Sequence, residues 1–149
     1  MSFLYTVSDL NSIMENLLDF METLVGIEQE KLEATTKKNV DLLEEIMRKQ
    51  QAQMMRFKGY DRKREAIQKE LGFENLSFRE IAKQSKNPDE LDHPVFEKLE
   101  KATNQYRELN ELTKKSIEIN LHALNKAMQA SQVANANLKD GTIFKNSKL

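Results

Sequence analysis

The chain has 149 residues, about the length of one folded domain, and it contains no cysteine. The lack of cysteine excludes disulfides, thiolate catalysis and cysteine-ligated metal or iron–sulfur centres. Four glycines, two prolines and 32% charged residues provide too little turn chemistry for a β-sandwich or barrel and favour long helices. The net charge of −1 gives no overall attraction to nucleic acid, so any electrostatic argument must be local.

The sequence has no candidate for a membrane-spanning or targeting segment. Its longest apolar stretch, residues 10–27, is interrupted by Glu15, Asp19 and Glu22 before it could span a bilayer. The first five residues carry no base, and no small-residue cleavage site follows them. We therefore expect a cytoplasmic protein with no direct membrane insertion.

The first predicted helix covers about residues 8–33, where apolar side chains recur every three or four positions. Its stripe comprises Leu10, Met14, Leu17, Met21 and Leu24, flanked by Ile13, Leu18, Phe20, Val25 and Ile27. Because a face this wide needs more than one neighbour, a bundle fits better than a two-stranded coiled coil. Ser8 or Asp9 is the expected N-cap.

The second predicted helix covers about residues 39–71, between a cap at Asn39 and a stop at Gly72. Its apolar stripe comprises Leu43, Ile46, Phe57, Tyr60, Ile67 and Leu71. The same face carries Gln50, Gln53 and Arg64, so we expect looser or wetter packing there than around the first helix.

A short connecting helix and a long last helix complete the predicted elements. A capping box at Ser77 and Glu80 predicts a helix at 77–84. Start signals at Asn87-Pro88-Asp89-Glu90 and then at Asp92-His93-Pro94 predict the last helix at 88–138, and residues 139–149 are expected to form a flexible tail. The prediction is an all-α protein, an antiparallel bundle of three long helices with a short connecting helix and coiled-coil-like packing, in a single unit at 1–138.

Charge is distributed unevenly between the first two helices. Residues 1–33 contain seven acids against one lysine, whereas residues 48–69 contain eight bases against two acids. If the two helices form a hairpin, the acidic helix lies beside the basic one and this favours their pairing over self-pairing.

The sequence gives little support for a metal site, for catalysis or for nucleic-acid binding. Glu90 and His93 form the only Glu-x-x-His spacing, and a two-metal helical site needs two of them, so no metal site is expected. The sequence has no phosphate loop, no metalloprotease motif and no nucleophile elbow, and we expect neither catalysis nor a cofactor. Phe57 and Tyr60 lie among bases as in a nucleic-acid surface, but they belong to the apolar stripe, so no nucleic-acid partner is expected.

Polar residues on the apolar seams have two interpretations. Glu28, Asn110 and Asn120 occupy positions where polar side chains usually set helix register or partner number. The alternative is that they bond a bound partner helix. The last part of the long helix, from Ser131 to Asn137, has one sizeable apolar side chain, Val133, which is too little to bury without a partner.

Short motifs give the chain a resemblance to a known family. Glu28 and Leu32 resemble the Glu-x-x-x-Leu ending of the first helix in the FlgN family of flagellar type III export chaperones. The run Arg107-Glu108-Leu109-Asn110 resembles the Arg-acid-Leu-Asn turn of that family. Thr113 stands where the family commonly has a second asparagine, and Phe144 follows Gly141, whereas family tails carry an aromatic before the glycine.

The resemblance implies a cytosolic, ATP-independent chaperone. It implies binding of the C-terminal amphipathic segment of hook–filament junction (hook-associated) proteins and contact with export-apparatus components. The partner-binding residues expected on the long helix are Asn110, Ile117, Asn120, Leu121, Leu124, Met128 and Val133. The alternative is a self-associating coiled-coil structural or adaptor protein, in which a homodimer forms. Genes for hook-associated proteins beside this one would favour the chaperone.

Overall fold

The computed structural model describes residues 4–130, apart from the side chains of Ala127, Met128 and Ala130. In chain order the elements are α1 (Val7–Thr36), α2 (Val40–Glu70), α3 (Phe78–Gln84), a 3₁₀ turn (Pro88–Glu90) and α4 (His93–Ala130). No strand occurs among these residues, so the predicted all-α class is confirmed. The division into a unit at 1–138 and a tail at 139–149 stays a prediction, because it falls largely outside the described residues.

Helix α1 begins one turn earlier than its apolar stripe. Thr6 is the N-cap: its hydroxyl accepts from the Asp9 backbone N–H, and the Asp9 carboxylate accepts from the Thr6 N–H at 2.8 Å. The expectation of a cap at Ser8 or Asp9 was therefore wrong. Asp9 is instead the third residue of a capping box, where a carboxylate bonds the cap backbone.

The ends of α2 and the start of α3 follow local rules. Asn39 caps α2 by accepting from the Leu42 N–H, and Ser77 caps α3 by accepting from the Glu80 N–H. After α2, Gly72 takes a φ of 84°, which glycine adopts without the steric cost that other residues incur. These signals depend on neighbouring residues alone.

The start of α4 differs from the sequence prediction. Pro88–Glu90 forms a 3₁₀ turn, and Leu91 is extended with its side chain buried, so the helix begins only at His93. Asp92 then caps it, since its carboxylate accepts from the Val95 N–H at 3.3 Å. Leu91 is buried in the core, and its extended backbone separates the turn at Pro88 from the helix. The predicted helix start at Pro88 was therefore wrong.

Pairs of residues in contact fix the direction of the long helices. Gln50 bonds Lys31, the Tyr60 ring lies 5.0 Å from that of Phe20, and Glu70 bonds the Leu4 N–H, so α2 runs opposite to α1. The Asn11 side chain bonds the Asp92 N–H, and Asn110 bonds Glu28, so α4 runs parallel to α1. Helix α1 packs along both other helices, which touch each other little. Coiled-coil-like packing stays a prediction.

The apolar interior consists of two separate clusters of unequal size. The larger cluster occupies the end where α1 and α4 begin and α2 ends; it includes Leu10, Met14, Leu17, Met21, Phe57, Ile67, Phe78, Ile81, Phe96 and Leu99. The smaller cluster occupies the opposite end and consists of Ile27, Ala34, Val40, Leu43, Ile46 and Leu124, with Met47 and Ile117 packed against it. Burial therefore stabilises the two ends unequally.

None of the described helices combines the length and the apolar composition needed to cross a membrane.

Replacing Leu17 with aspartate should unfold the protein. Leu17 is fully buried in the larger cluster, so the substitution removes its packing and places a carboxylate where water cannot reach it. We expect a loss of more than about 4 kcal/mol in the free energy of unfolding, measured by urea denaturation. The matched control is Asn16→Asp, one residue away and exposed, which should change it by less than about 0.5 kcal/mol. A Leu17→Asp variant as stable as this control would contradict the burial.

Candidate functional site

Five buried polar side chains form a layer that crosses all three long helices. We call Glu28, Lys31, Gln50, Tyr106 and Asn110 the polar layer; each is 7% exposed or less. On α1 the layer lies beyond Val25, on α2 between Ile46 and Met54, and on α4 before Leu124. It therefore lies where the two apolar clusters meet, and Tyr106 belongs to the larger cluster as well as to the layer.

Glu28 is the centre of the polar layer. Its Oε2 accepts from Gln50 Nε2 at 2.5 Å, and its Oε1 accepts from Asn110 Nδ2 at 3.3 Å. The Lys31 ammonium lies 3.9 Å from Oε2. A buried carboxylate is tolerated only when opposite charge and hydrogen bonds replace its lost hydration. Each of the three helices supplies part of that replacement.

Gln50 links the remaining members. Its Oε1 accepts from Lys31 Nζ at 3.1 Å, while its Nε2 donates to Glu28 and also to the Tyr106 hydroxyl at 3.2 Å. Burial, and then the negative charge of Glu28, raise the pKa of Tyr106 well above the ordinary value of about 10. The hydroxyl therefore stays neutral over the whole physiological range of pH.

The partner-binding residues predicted from the sequence lie in different environments. Asn110 is in the polar layer, Asn120 bonds the Ser116 carbonyl of its own helix at 2.8 Å, and Leu124 is fully buried in the smaller cluster. Ile117 is half-buried beside that cluster, and Leu121 is 41% exposed. The side chain of Met128 and all of Val133 lie outside the described residues. The five of these residues that the structure describes thus lie in different environments of the free chain, and their role in binding a partner stays a prediction.

Two exposed apolar side chains on the same half of α4 were not predicted from the sequence. Ile119 is 83% exposed and Leu112 is 51% exposed, one spacing of seven residues apart and on the side away from the core. Their signal in the sequence was this spacing, but they lie off the row of partner-binding residues expected on this helix. Leu121, two residues from Ile119, lies on the opposite side of α4.

The acids of α1 and the bases of α2, which were expected to attract each other, do not form direct ion pairs in the described part of the chain. Among residues 4–130, no acid of α1 lies within 4.0 Å of a base of α2. The bases that are paired have partners on their own helix, such as Arg48 with Glu44 and the buried Arg64 with Asp61 at 2.7 Å. The oppositely charged faces of α1 and α2 point mainly into solvent.

The described residues hold no group of three or more side chains that could ligate a metal ion. Glu90 and His93, the pair weighed in the sequence, do not converge on such a group; the His93 ring instead lies 2.8 Å from the Pro88 carbonyl oxygen.

The fold and its interior define an all-helical protein in which a buried polar layer joins three long helices. The family model described as FlgN protein matches residues 1–142. The chain therefore belongs to the FlgN family, as the resemblance of its motifs indicated. Comparisons with curated proteins and with solved structures found no match. The FlgN family is a family of flagellar export chaperones that bind flagellar proteins, and it is not an enzyme family.

Replacing Gln50 with leucine should destabilise the protein although the residue becomes more apolar. The substitution removes hydrogen bonds from Glu28, Lys31 and Tyr106, which stay buried. We expect a loss of about 2–4 kcal/mol in the free energy of unfolding by urea denaturation. The control is Gln51→Leu, the exposed neighbour, which should be close to neutral. Equal effects of the two substitutions would rule out the layer as a hydrogen-bonded unit.

Tyr106 should ionise only at a pH well above the ordinary tyrosine range. Because its pKa is raised in the folded state, the neutral hydroxyl contributes stability that is fully present below about pH 10 and is lost as the pH rises further. The measurement is the absorbance of tyrosinate across an alkaline titration, with the curve of Tyr106→Phe subtracted from that of the wild type. The difference should show its step at a higher pH than a model tyrosine, and a step near pH 10 would contradict the burial of the hydroxyl.

Proposed function

We propose that this protein is a cytosolic, ATP-independent export chaperone. In this proposal it binds the C-terminal amphipathic segment of hook–filament junction proteins and delivers them to the flagellar type III export apparatus. The family membership supports the general class. The observation that carries the specific proposal is the apolar surface that Leu121 and the half-buried Ile117 form on one side of the second half of α4.

A partner helix gives this surface what it lacks in the free chain. An amphipathic segment binds by laying its apolar face against apolar side chains spaced three, four or seven residues apart on the receiving helix. Ile117 and Leu121 have that spacing, four residues apart, whereas Leu112 and Ile119 lie on the opposite side of the helix.

Asn110 and Leu124 belong to the proposed site in a different way. Both are already buried, Asn110 against Glu28 and Leu124 in the smaller cluster, so they can contact a client only if α4 moves away from α1 and α2. Leu124 to alanine should therefore cost stability as a core substitution does, by about 2–5 kcal/mol. For this reason the test of client binding uses an exposed residue.

Charge on an exposed apolar position of α4 should weaken client binding and leave the fold intact. The substitution Leu121→Glu places a carboxylate on the contact surface but removes little buried area. We expect the affinity for C-terminal segments of hook-associated proteins from the same organism to fall at least about tenfold by calorimetry, which corresponds to about 1.4 kcal/mol. The melting temperature should stay within a few degrees of the wild type.

The control is Leu42→Glu on α2, because Leu42 and Leu121 are equally exposed, at 41%. This variant should bind clients as the wild type does. If the wild type binds no such segment and instead self-associates, and Leu121→Glu abolishes self-association, the alternative of a self-associating structural protein replaces the chaperone.

A further inference from the structure

The solvent-facing side of α2 is basic and largely unpaired. Two rows of bases run along it: Lys49, Arg56 and Lys63 lie seven residues apart in one row, and Arg48, Arg62 and Lys69 lie fourteen and seven residues apart in the other. All six are exposed, and we call them the basic face. Within residues 4–130, only Arg48 among them has an acid within 4.0 Å, the Glu44 carboxylate at 3.6 Å. The polar layer and the proposed client surface do not use this face.

The two rows are parallel and straight because seven residues make nearly two helical turns. From Arg48 to Lys69 they extend about 32 Å at about 1.5 Å per residue. Met55 lies in the second row and is 70% exposed, a flexible apolar side chain among the bases. Between the rows lie Ala52, Gly59 and Ala66, and a Cβ built at Gly59 would meet nothing within 4 Å.

We propose that the basic face binds an acidic helix of a partner protein, with carboxylates on both sides of the contact line and an apolar side chain near Met55. The inference goes beyond the proposed function, since it concerns a different helix and needs no client. The charge of the two rows carries it: opposite charge on the partner is the chemistry that recognises unpaired bases at regular spacing. The short side chains between the rows show only how closely a helix can approach.

Other polyanions fit the basic face less well. Single-stranded nucleic acid is held by aromatic side chains on which bases stack, yet Phe57 is buried and the Tyr60 ring packs on Phe20. Glu65 is exposed at the edge of the face, where it would repel phosphates of nucleic acid or lipid. Binding to a membrane surface would also require several large exposed apolar side chains. Within the two described rows, Met55 alone is of this kind.

The test uses the full chain and a synthetic helical peptide of four heptads, each with one leucine flanked on both sides by glutamates and with alanine elsewhere. Binding is measured by fluorescence anisotropy of the labelled peptide. The wild type should bind it, and the triple substitution Arg56→Glu, Arg62→Glu, Lys63→Glu should weaken binding at least about tenfold. The matched control reverses three exposed lysines elsewhere, Lys83, Lys98 and Lys101, and should retain binding. Circular dichroism should show equal helix content in all three proteins.

A second variant distinguishes a helix from a generic polyanion. Ala52→Gln with Gly59→Gln keeps every charge and fills the space between the rows with longer side chains. It should weaken binding of the helical peptide but leave unchanged the binding of an unstructured glutamate peptide with the same charge. If the charge-reversed protein binds as the wild type does, or if the filled variant does, the proposal is overturned.

Three further probes identify a different occupant. Vesicles of phosphatidylglycerol in phosphatidylcholine, or a polyuridylate strand, that bind the wild type more tightly than the helical peptide would overturn the proposal in favour of lipid or RNA. Sedimentation of the wild type alone tests a second copy of the chain, whose acidic α1 could supply the carboxylates. A dimer that the charge reversal abolishes would assign the basic face to self-association instead.

Discussion

The arrangement of the three long helices depends on one buried carboxylate. Glu28 is fully buried, and its charge is tolerated because Lys31, Gln50 and Asn110 replace the water that it has lost. Two of these groups come from other helices. Sliding α2 or α4 by one turn would leave an unsatisfied charge inside the protein, so the polar layer selects one register where the apolar side chains alone would accept several.

The parts of the protein on the two sides of the polar layer differ in how much apolar surface they bury. Among the side chains that the structure describes, the larger cluster contains residues from all four helices, whereas the smaller one holds six buried side chains, of which α4 supplies only Leu124. The second half of α4 is therefore held by few apolar contacts beyond Asn110. This is also the half that exposes Leu112, Ile119 and Leu121, so weak internal packing and available apolar surface coincide on the same segment.

The sequence predicted features that depend on neighbouring residues and failed where distant residues decide. Asn39 and Ser77 were identified as caps because a cap and its partner lie within three residues. The start of α4 was misplaced because Leu91 is drawn into a core that the local sequence does not contain. Glu28 and Asn110 were each recognised as unusual, but periodicity could not show that they bond each other, since they are 82 residues apart. Ile119 was missed because its exposure depends on which face of α4 the other helices cover.

The order of helices along the chain has a consequence for synthesis on the ribosome. The α1–α2 hairpin is complete long before α4 emerges, and it already contains Glu28, Lys31 and Gln50, with the Lys31–Gln50 bond linking its two arms. Asn110 and Tyr106 arrive last. The register of α1 against α2 can thus be set early, by contacts between residues that are close in sequence. The contacts of Asn110 and Tyr106 then form on a hairpin whose two helices are already aligned.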